Sequence, residues 1–193
     1  LVAAGLRDLS VAASWQEKDT ATMSFKAEIR ASLGWNWNHG AVDNSRLNHT
    51  RSLAEGCGQG QAEAAWHAEN QALSNGSAEA LDLTALPRDV LGSVLVTTLL
   101  RVKGLLVLND TGSAGTLLVG GAGGAEWSAP FGADGDTVEI PPDGALLLSN
   151  RGAGWPVDDA HKLLRLRAAG GPLTYSLAIL GAVTATGSGS SGA

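Results

Sequence analysis

Residues Leu99–Gly121 read LLRVKGLLVLNDTGSAGTLLVGG, a pattern of strand, turn and strand. Arg101 and Lys103 alternate with Val102 and Gly104, and the run then becomes wholly apolar through Leu105–Leu108. A half-exposed strand that turns inward has this composition. Asn109-Asp110-Thr111-Gly112 breaks the run. Asn and Asp side chains bond their own backbone, and Gly tolerates positive φ. Thr116–Val119 returns as a second strand, so the spacing predicts a hairpin at the centre of the fold.

Similar runs with similar breaks lie on both sides. Ala65–Leu73 and Glu79–Leu83 read as a hairpin across Ser74-Asn75-Gly76-Ser77, where Asn-Gly is a strong turn signal. A helix competes for Gln61–Leu73, because Ala, Glu and Gln are helix formers. Leu86–Leu91 reads as a short helical turn around Pro87, and Val94–Thr98 leads into the central hairpin. Gly120–Asp136 reads as a long loop anchored by Trp127 and Phe131. Thr137–Ile140 and Ala145–Ser149 flank the turn Pro141-Pro142-Asp143-Gly144, and Asn150–Asp159 is a loop carrying Trp155. Leu163–Arg167 and the run through Tyr175, Leu177 and Ile179 close the domain. From Gly60 onward this makes about eight or nine short strands at intervals near 10 residues, the spacing of a β-sandwich or barrel. Eight strands in two sheets is the jelly-roll count.

The N-terminal part is patterned differently. Leu9, Val11, Ala13 and Trp15 alternate with polar or small residues, and Glu17–Thr20 reads as a turn. Met23, Phe25, Ala27, Ile29, Ala31, Leu33, Trp35 and Trp37 then alternate with Thr22, Ser24, Lys26, Glu28, Arg30, Ser32, Gly34 and Asn36. A strand of that length extends about 50 Å. It is either a long strand on the domain's own sheet or a projecting β-arm covered by a neighbouring subunit. A lone two-stranded ribbon is marginal in water, so an arm needs a partner. Asn38–Gly60 is polar and Gly-rich and reads as a linker or crossover.

The chain has 193 residues, 44% hydrophobic and 17% charged, enough for one β domain with an appendage. Its net charge of −6, with no Lys/Arg run, argues against nucleic acid as a partner. No apolar stretch is long enough to read as a membrane span. Cys57 is the single cysteine, which excludes an intrachain disulfide framework and favours a reducing cytoplasm. Thr186–Ala193 is flexible by composition.

Candidate chemistry is sparse. Gly56-Cys57-Gly58-Gln59-Gly60 approaches a dinucleotide fingerprint but has Gln61 at its sixth position, and Gly120–Gly124 lacks the Lys-Ser/Thr of a P-loop. Both read as turns. Cys57 with His67 or His49 could pair a nucleophile with a base, but no orienting third group stands at a recognisable spacing. His39, His49, His67 and His161 are scattered without zinc-ligand spacing. Asp134, Asp136 and Glu139 could offer oxygens to Ca²⁺, without the EF-hand pattern. Asn48, Asn75 and Asn109 open weak glycosylation sequons. No catalytic, metal or cofactor site is expected. Six tryptophans stand against two phenylalanines. Those in loops could stack on sugars or anchor a protein contact, or could fold back to plug the domain.

Seven segments in this order carry a resemblance: AEGCGQGQAEAAWHAENQAL (Ala54–Leu73), EALDLTAL (Glu79–Leu86), RVKGLLVLND (Arg101–Asp110), TLLVGGAG (Thr116–Gly123), TVEIPPDGALLLSN (Thr137–Asn150), GWPVDDAHKLLRLR (Gly154–Arg167) and LTYSLAILG (Leu173–Gly181). Together they resemble a group of small structural proteins of tailed bacteriophages with jelly-roll-like domains. Members serve as capsid decoration (cement) proteins or as tail and fibre parts. The resemblance covers Ser52–Val183, leaves out the N-terminal ribbon and transfers no functional residue. It implies a non-enzymatic virion protein, assembled in the host bacterial cytoplasm. Its partners would be further copies of itself, as a homotrimer, and the major capsid protein or another virion protein.

The expected architecture is therefore all-β. Residues 1–55 form an N-terminal β-arm and linker, residues 56–183 a jelly-roll-like β-sandwich, and residues 184–193 a flexible tail. Phe25, Ile29, Leu33, Trp35 and Trp37 are the expected subunit or capsid contact. The alternative is a tail or fibre module that binds a receptor or carbohydrate through Trp127, Phe131 and Trp155.

Overall fold

The computed structural model describes residues 25–38, 42–90 and 93–184. The alternation over Leu9–Trp15, the turn after it, the start of the ribbon at Thr22–Ser24 and the tail expected to be flexible lie outside the described residues. Among the described residues the chain is all strand, turn and loop. In chain order the strands are β1 (Ala27–Asn38), β2 (Val42–Glu55), β3 (Gln61–Ala62), β4 (Ala64–Leu73), β5 (Ala78–Asp82), β6 (Leu86–Val90) and β7 (Ser93–Thr97). There follow β8 (Arg101–Asn109), β9 (Thr116–Gly120), β10 (Thr137–Ile140), β11 (Ala145–Ser149), β12 (Trp155–Pro156), β13 (Leu163–Ala169) and β14 (Leu173–Ala182).

Two four-stranded antiparallel ladders carry the body. One runs β10-β9-β13-β5 and the other β11-β8-β14-β4, with β12 also pairing β8. Their inner faces share one core. Leu105 and Val107 of β8 and Tyr175, Leu177 and Ile179 of β14 meet Leu117 and Val119 of β9 and Leu164 and Leu166 of β13. The period-2 alternation of β14, buried at every second residue from Leu173 to Gly181, follows from this.

The local hairpins expected from spacing are corrected by this topology. β8 and β9 do not pair: β8 lies between β11 and β14, and β9 lies between β10 and β13. The chain from Leu99 to Gly121 is an arch between sheets, with Leu105 and Leu117 in one core but on strands of different sheets. The turn Ser74–Ser77 is present, with Gly76 at φ 79° and Ser77 N–H on Ser74 O at 2.9 Å. It too passes between sheets, because β4 pairs β14 and β5 pairs β13.

Gln61–Leu73 is strand in β3 and β4, as the strand reading has it, and not the competing helix. Two further expectations change. Leu86–Leu91 is not a helical turn: Leu86–Val90 is β6, paired antiparallel with β7. Pro87 is tolerated there because it sits on an outer edge, where a missing N–H breaks no ladder bond. Asn38–Gly60 is not a linker, since β2 occupies most of it and pairs along the whole of β1, from Ala27↔Leu53 to Asn38↔Val42. A ribbon with two solvated faces does not require alternation, so the polar sequence of β2 carries no strand signal.

Candidate interaction surface

The β1–β2 ribbon stands on a small core of its own. Ile29, Leu53 and Ala62 are buried together, and Phe25, Ala27 and Leu180 pack against them. Backbone bonds lock this root: Ala54 N–H donates to Gly60 O at 3.1 Å and Gly56 N–H to Ala62 O at 3.2 Å. Arg151 reaches across from the body, donating from Nη2 to Ser52 O at 2.9 Å. In return, Gly60 N–H donates to Arg151 O at 2.7 Å.

Gly56–Gly60 is the turn that joins β2 to β3. Gly58 N–H donates to Gln61 Oε1 at 2.8 Å. A Cβ at Gly56 or Gly58 would lie 2.7 Å from that same oxygen, a contact that turning the Gln61 side chain relieves, so it is the φ of 127° at Gly56 that calls for glycine. Lys103, expected on a half-exposed stretch, is instead fully buried. A register irregularity between Leu180 and Gly181 of the β8–β14 ladder lies at this point. The Lys103 Nζ donates to Gly58 O at 3.1 Å and Gly152 O at 2.6 Å. Burial pulls the Lys103 ammonium below the ordinary lysine range, and neighbouring Arg101 adds to the effect. The glycine motif thus serves as an anchor, with its Gly58 carbonyl aimed at an internal cation.

Beyond the root the ribbon meets solvent. Ala31, Leu33 and Trp35 continue the face begun by Ile29, and Leu47 stands directly opposite Leu33. Leu33 is 68% exposed and Leu47 70%, with Trp35 exposed beside them. His49 and Arg51 flank this face from β2. The other face is polar, with Ser32 Oγ on Asn48 Oδ1 at 2.7 Å and Arg30 paired to Glu28. The expected contact residues therefore divide. Phe25 and Ile29 fasten the ribbon to its own domain, with Ile29 buried and Phe25 partly buried. Leu33 and Trp35 are exposed, and the Trp37 side chain lies outside the described residues. Leu47 was not legible, because no apolar alternation surrounds it.

A second projection is the β6–β7 hairpin, on which Val94, Leu95 and Val96 are all more than half exposed. Its base adjoins the ribbon root: Arg88 and Thr97 line the same shallow cleft as Phe25 and Glu55. Three successive exposed apolar residues were visible in the sequence, but their exposure was not.

The tryptophan loop is a packed plug. Trp127 is 1% exposed and donates from Nε1 to Pro156 O at 2.9 Å. Phe131 and Trp155 stand edge-on to its ring, at 6.1 and 6.2 Å between centroids. Of the two readings of these loop tryptophans, plug or binding surface, this burial fits the plug: Trp127 is a core residue, and Phe131 and Trp155 are half-buried against it. The Gly120–Gly124 backbone is aimed inward as well. Glu126, buried, accepts N–H from Gly121 at 2.6 Å, Gly135 at 2.9 Å and Gly123 at 3.3 Å. A concavity of backbone amides of the kind that holds anions is occupied by the chain's own carboxylate.

Among the described residues no group of three or more His, Cys, Asp or Glu is placed to hold a metal. Asp134 accepts from Ser128 Oγ at 2.6 Å and Asp136 from Ala133 N–H at 2.8 Å, each stabilising its own turn. Cys57 is half-buried in the root turn, and His67 lies on the exposed side of β4 beside Glu69 at 3.4 Å. Among known proteins, no family model matches the chain and no curated protein is significantly similar to it.

Proposed function

We propose that this chain is a non-enzymatic structural protein of a tailed-bacteriophage virion, a capsid decoration protein that holds neighbouring subunits together. The observation that carries this reading is the β1–β2 ribbon: a rigid root joined to a solvent-facing apolar strip formed by Leu33, Trp35 and Leu47. Such a strip covered by a neighbour contributes about 25 cal/mol per Å² of apolar area, less the cost of ordering.

The body is read as a jelly-roll-like β-sandwich. In support, the orders β11-β8-β14-β4 and β10-β9-β13-β5 set consecutive strands opposite one another: β4 with β5, β8 with β9, β10 with β11 and β13 with β14. A long double hairpin rolled into two sheets generates that order. A homotrimer, with ribbons reaching across capsomer boundaries, uses such a body as a rigid platform.

The test is co-sedimentation with purified phage particles that lack the chain. Wild-type protein is expected to pellet with the particles, and a Leu33→Glu/Leu47→Glu variant to stay in solution. Wild-type protein that never pellets with particles overturns the proposal.

A further inference from the structure

We propose that the outer edge of β7 is an acceptor for the β1 edge of a second copy of this chain, so that each ribbon is clasped by the hairpin of its neighbour. The two edges of the β6–β7 hairpin differ. On β6, Pro87 has no N–H, and its carbonyl points away from β7 to accept the Trp66 indole N–H at 2.7 Å. That edge is closed to strand addition. On β7, the register Pro87↔Val96 and Asp89↔Val94 alternates with the hydrogen-bonded pairs, so the backbone groups of Val94 and Val96 face outward. Ser93–Thr97 contains no charge and no proline, the residues by which edges are ordinarily protected. Among the described residues no other strand pairs with it.

The donor is argued from what else is uncovered. β1 is the outer strand of the β1-β2-β3 ladder. Pairing it with β7 of a neighbour would form one continuous sheet and set Leu33 beside Val94–Val96. Ribbon-on-ribbon pairing through two β1 edges would leave the uncharged edge of β7 bare. A two-fold pairing of β7 with itself would join only five residues and leave the ribbon bare. One heterologous contact satisfies both edges and sets their apolar side chains side by side; it closes into a ring where the rotation between copies closes, and extends as a filament where it does not. The inference deepens the reading of the ribbon as an association surface but needs no particle. Loss of particle binding with self-assembly intact would count against the virion role alone.

The test uses full-length purified protein and sedimentation velocity. Leu33→Glu disables the ribbon, and Val96→Pro removes the outward N–H of β7. Leu95→Glu replaces Val96→Pro if the latter lowers the unfolding midpoint. Wild type is expected to sediment as an oligomer. Each variant alone should associate at least about tenfold more weakly. An equimolar mixture of the two should form a one-to-one complex, because one retains a hairpin and the other a ribbon. The proposal is overturned by a wild type that stays monomeric up to about 0.1 mM. It is equally overturned by either variant keeping the wild-type mass, or by a mixture that forms no complex.

Discussion

Gly104 of β8 leaves the space that Ile29 of the ribbon fills: a Cβ at Gly104 would stand 3.1 Å from Ile29 Cδ1 and 3.7 Å from Leu180. The ribbon is keyed into the body at this point, and its orientation depends on a missing side chain. Gly104→Val is therefore expected to displace Ile29 and loosen the root while leaving most of the main core in place. Hydrogen exchange should accelerate across 25–55 and stay near wild type across β13 and β14. Uniform acceleration over the whole chain would show that Gly104 supports the body instead.

Glu126 is expected to hold the Gly120–Asp136 loop closed. Its carboxylate accepts three backbone N–H groups, and Gln at this position can present only one acceptor oxygen to them. Glu126→Gln should cost about 2–3 kcal/mol in urea unfolding, since bonds to a buried charged group are among the stronger ones. An unchanged midpoint would mean that water satisfies these amides equally well.

Trp127→Ala separates plug from binding site. With the indole buried and two aromatic rings edge-on to it, truncation should destabilise the body by about 3–5 kcal/mol, read as a lowered thermal midpoint. A variant as stable as wild type that had lost affinity for a glycan would restore the carbohydrate-binding reading.

Lys103→Met tests whether the buried ammonium is structural. Methionine fills similar space but orphans Gly152 O and leaves Gly58 O with the Gln61 N–H alone, a loss of about 1–3 kcal/mol. Proteolysis within the Gly56–Gly60 turn should rise in the same variant. Stability at or above the wild-type value would show that the carbonyls find other donors.

Acid should weaken the fold through Glu63 and Asp82. Partial burial opposes the charge of each, but hydrogen bonds outweigh it. Glu63 receives Thr184 Oγ1 at 2.5 Å and the N–H groups of Thr184 and Val183. Asp82 receives Thr84 Oγ1 at 2.5 Å and Thr84 N–H, with Lys162 at 3.4 Å. Both carboxyls are held below their ordinary range in the folded state. The unfolded chain therefore takes up protons first as pH falls. Their contribution is complete above about pH 5 and is lost as pH drops through the depressed folded values. Urea midpoints across this range should fall less steeply in Thr84→Val and Thr184→Val than in wild type; equal slopes would refute the assignment.

The positions of most strands were legible because burial on one face imposes period 2: Leu163–Arg167, Thr137–Ile140, Ala145–Ser149 and the run to Ile179 all declare themselves. So do Asn75-Gly76 and Pro141–Gly144, where turn geometry restricts residue choice. β2 was not legible, since among its described side chains only Leu53 is buried and no pattern is imposed. In the candidate surface, the alternation of Leu33 and Trp35 was visible, but the division between an anchoring Ile29 and an exposed Leu33 was not. That division depends on Gly104 and Leu180, which lie far along the chain.

Alone, the sequence determined an all-β chain, the alternating face of β1 and the absence of any familiar catalytic spacing. Tertiary structure decided which strands are neighbours, turning apparent hairpins such as Leu99–Gly121 into arches between sheets. It also decided that Lys103, Glu126 and Trp127 are internal. The reason is physical. Alternation and turn chemistry are local and act on each residue's own backbone. Pairing and burial are set by which distant surfaces exclude water together, and residues separated by many tens of positions contribute to that choice.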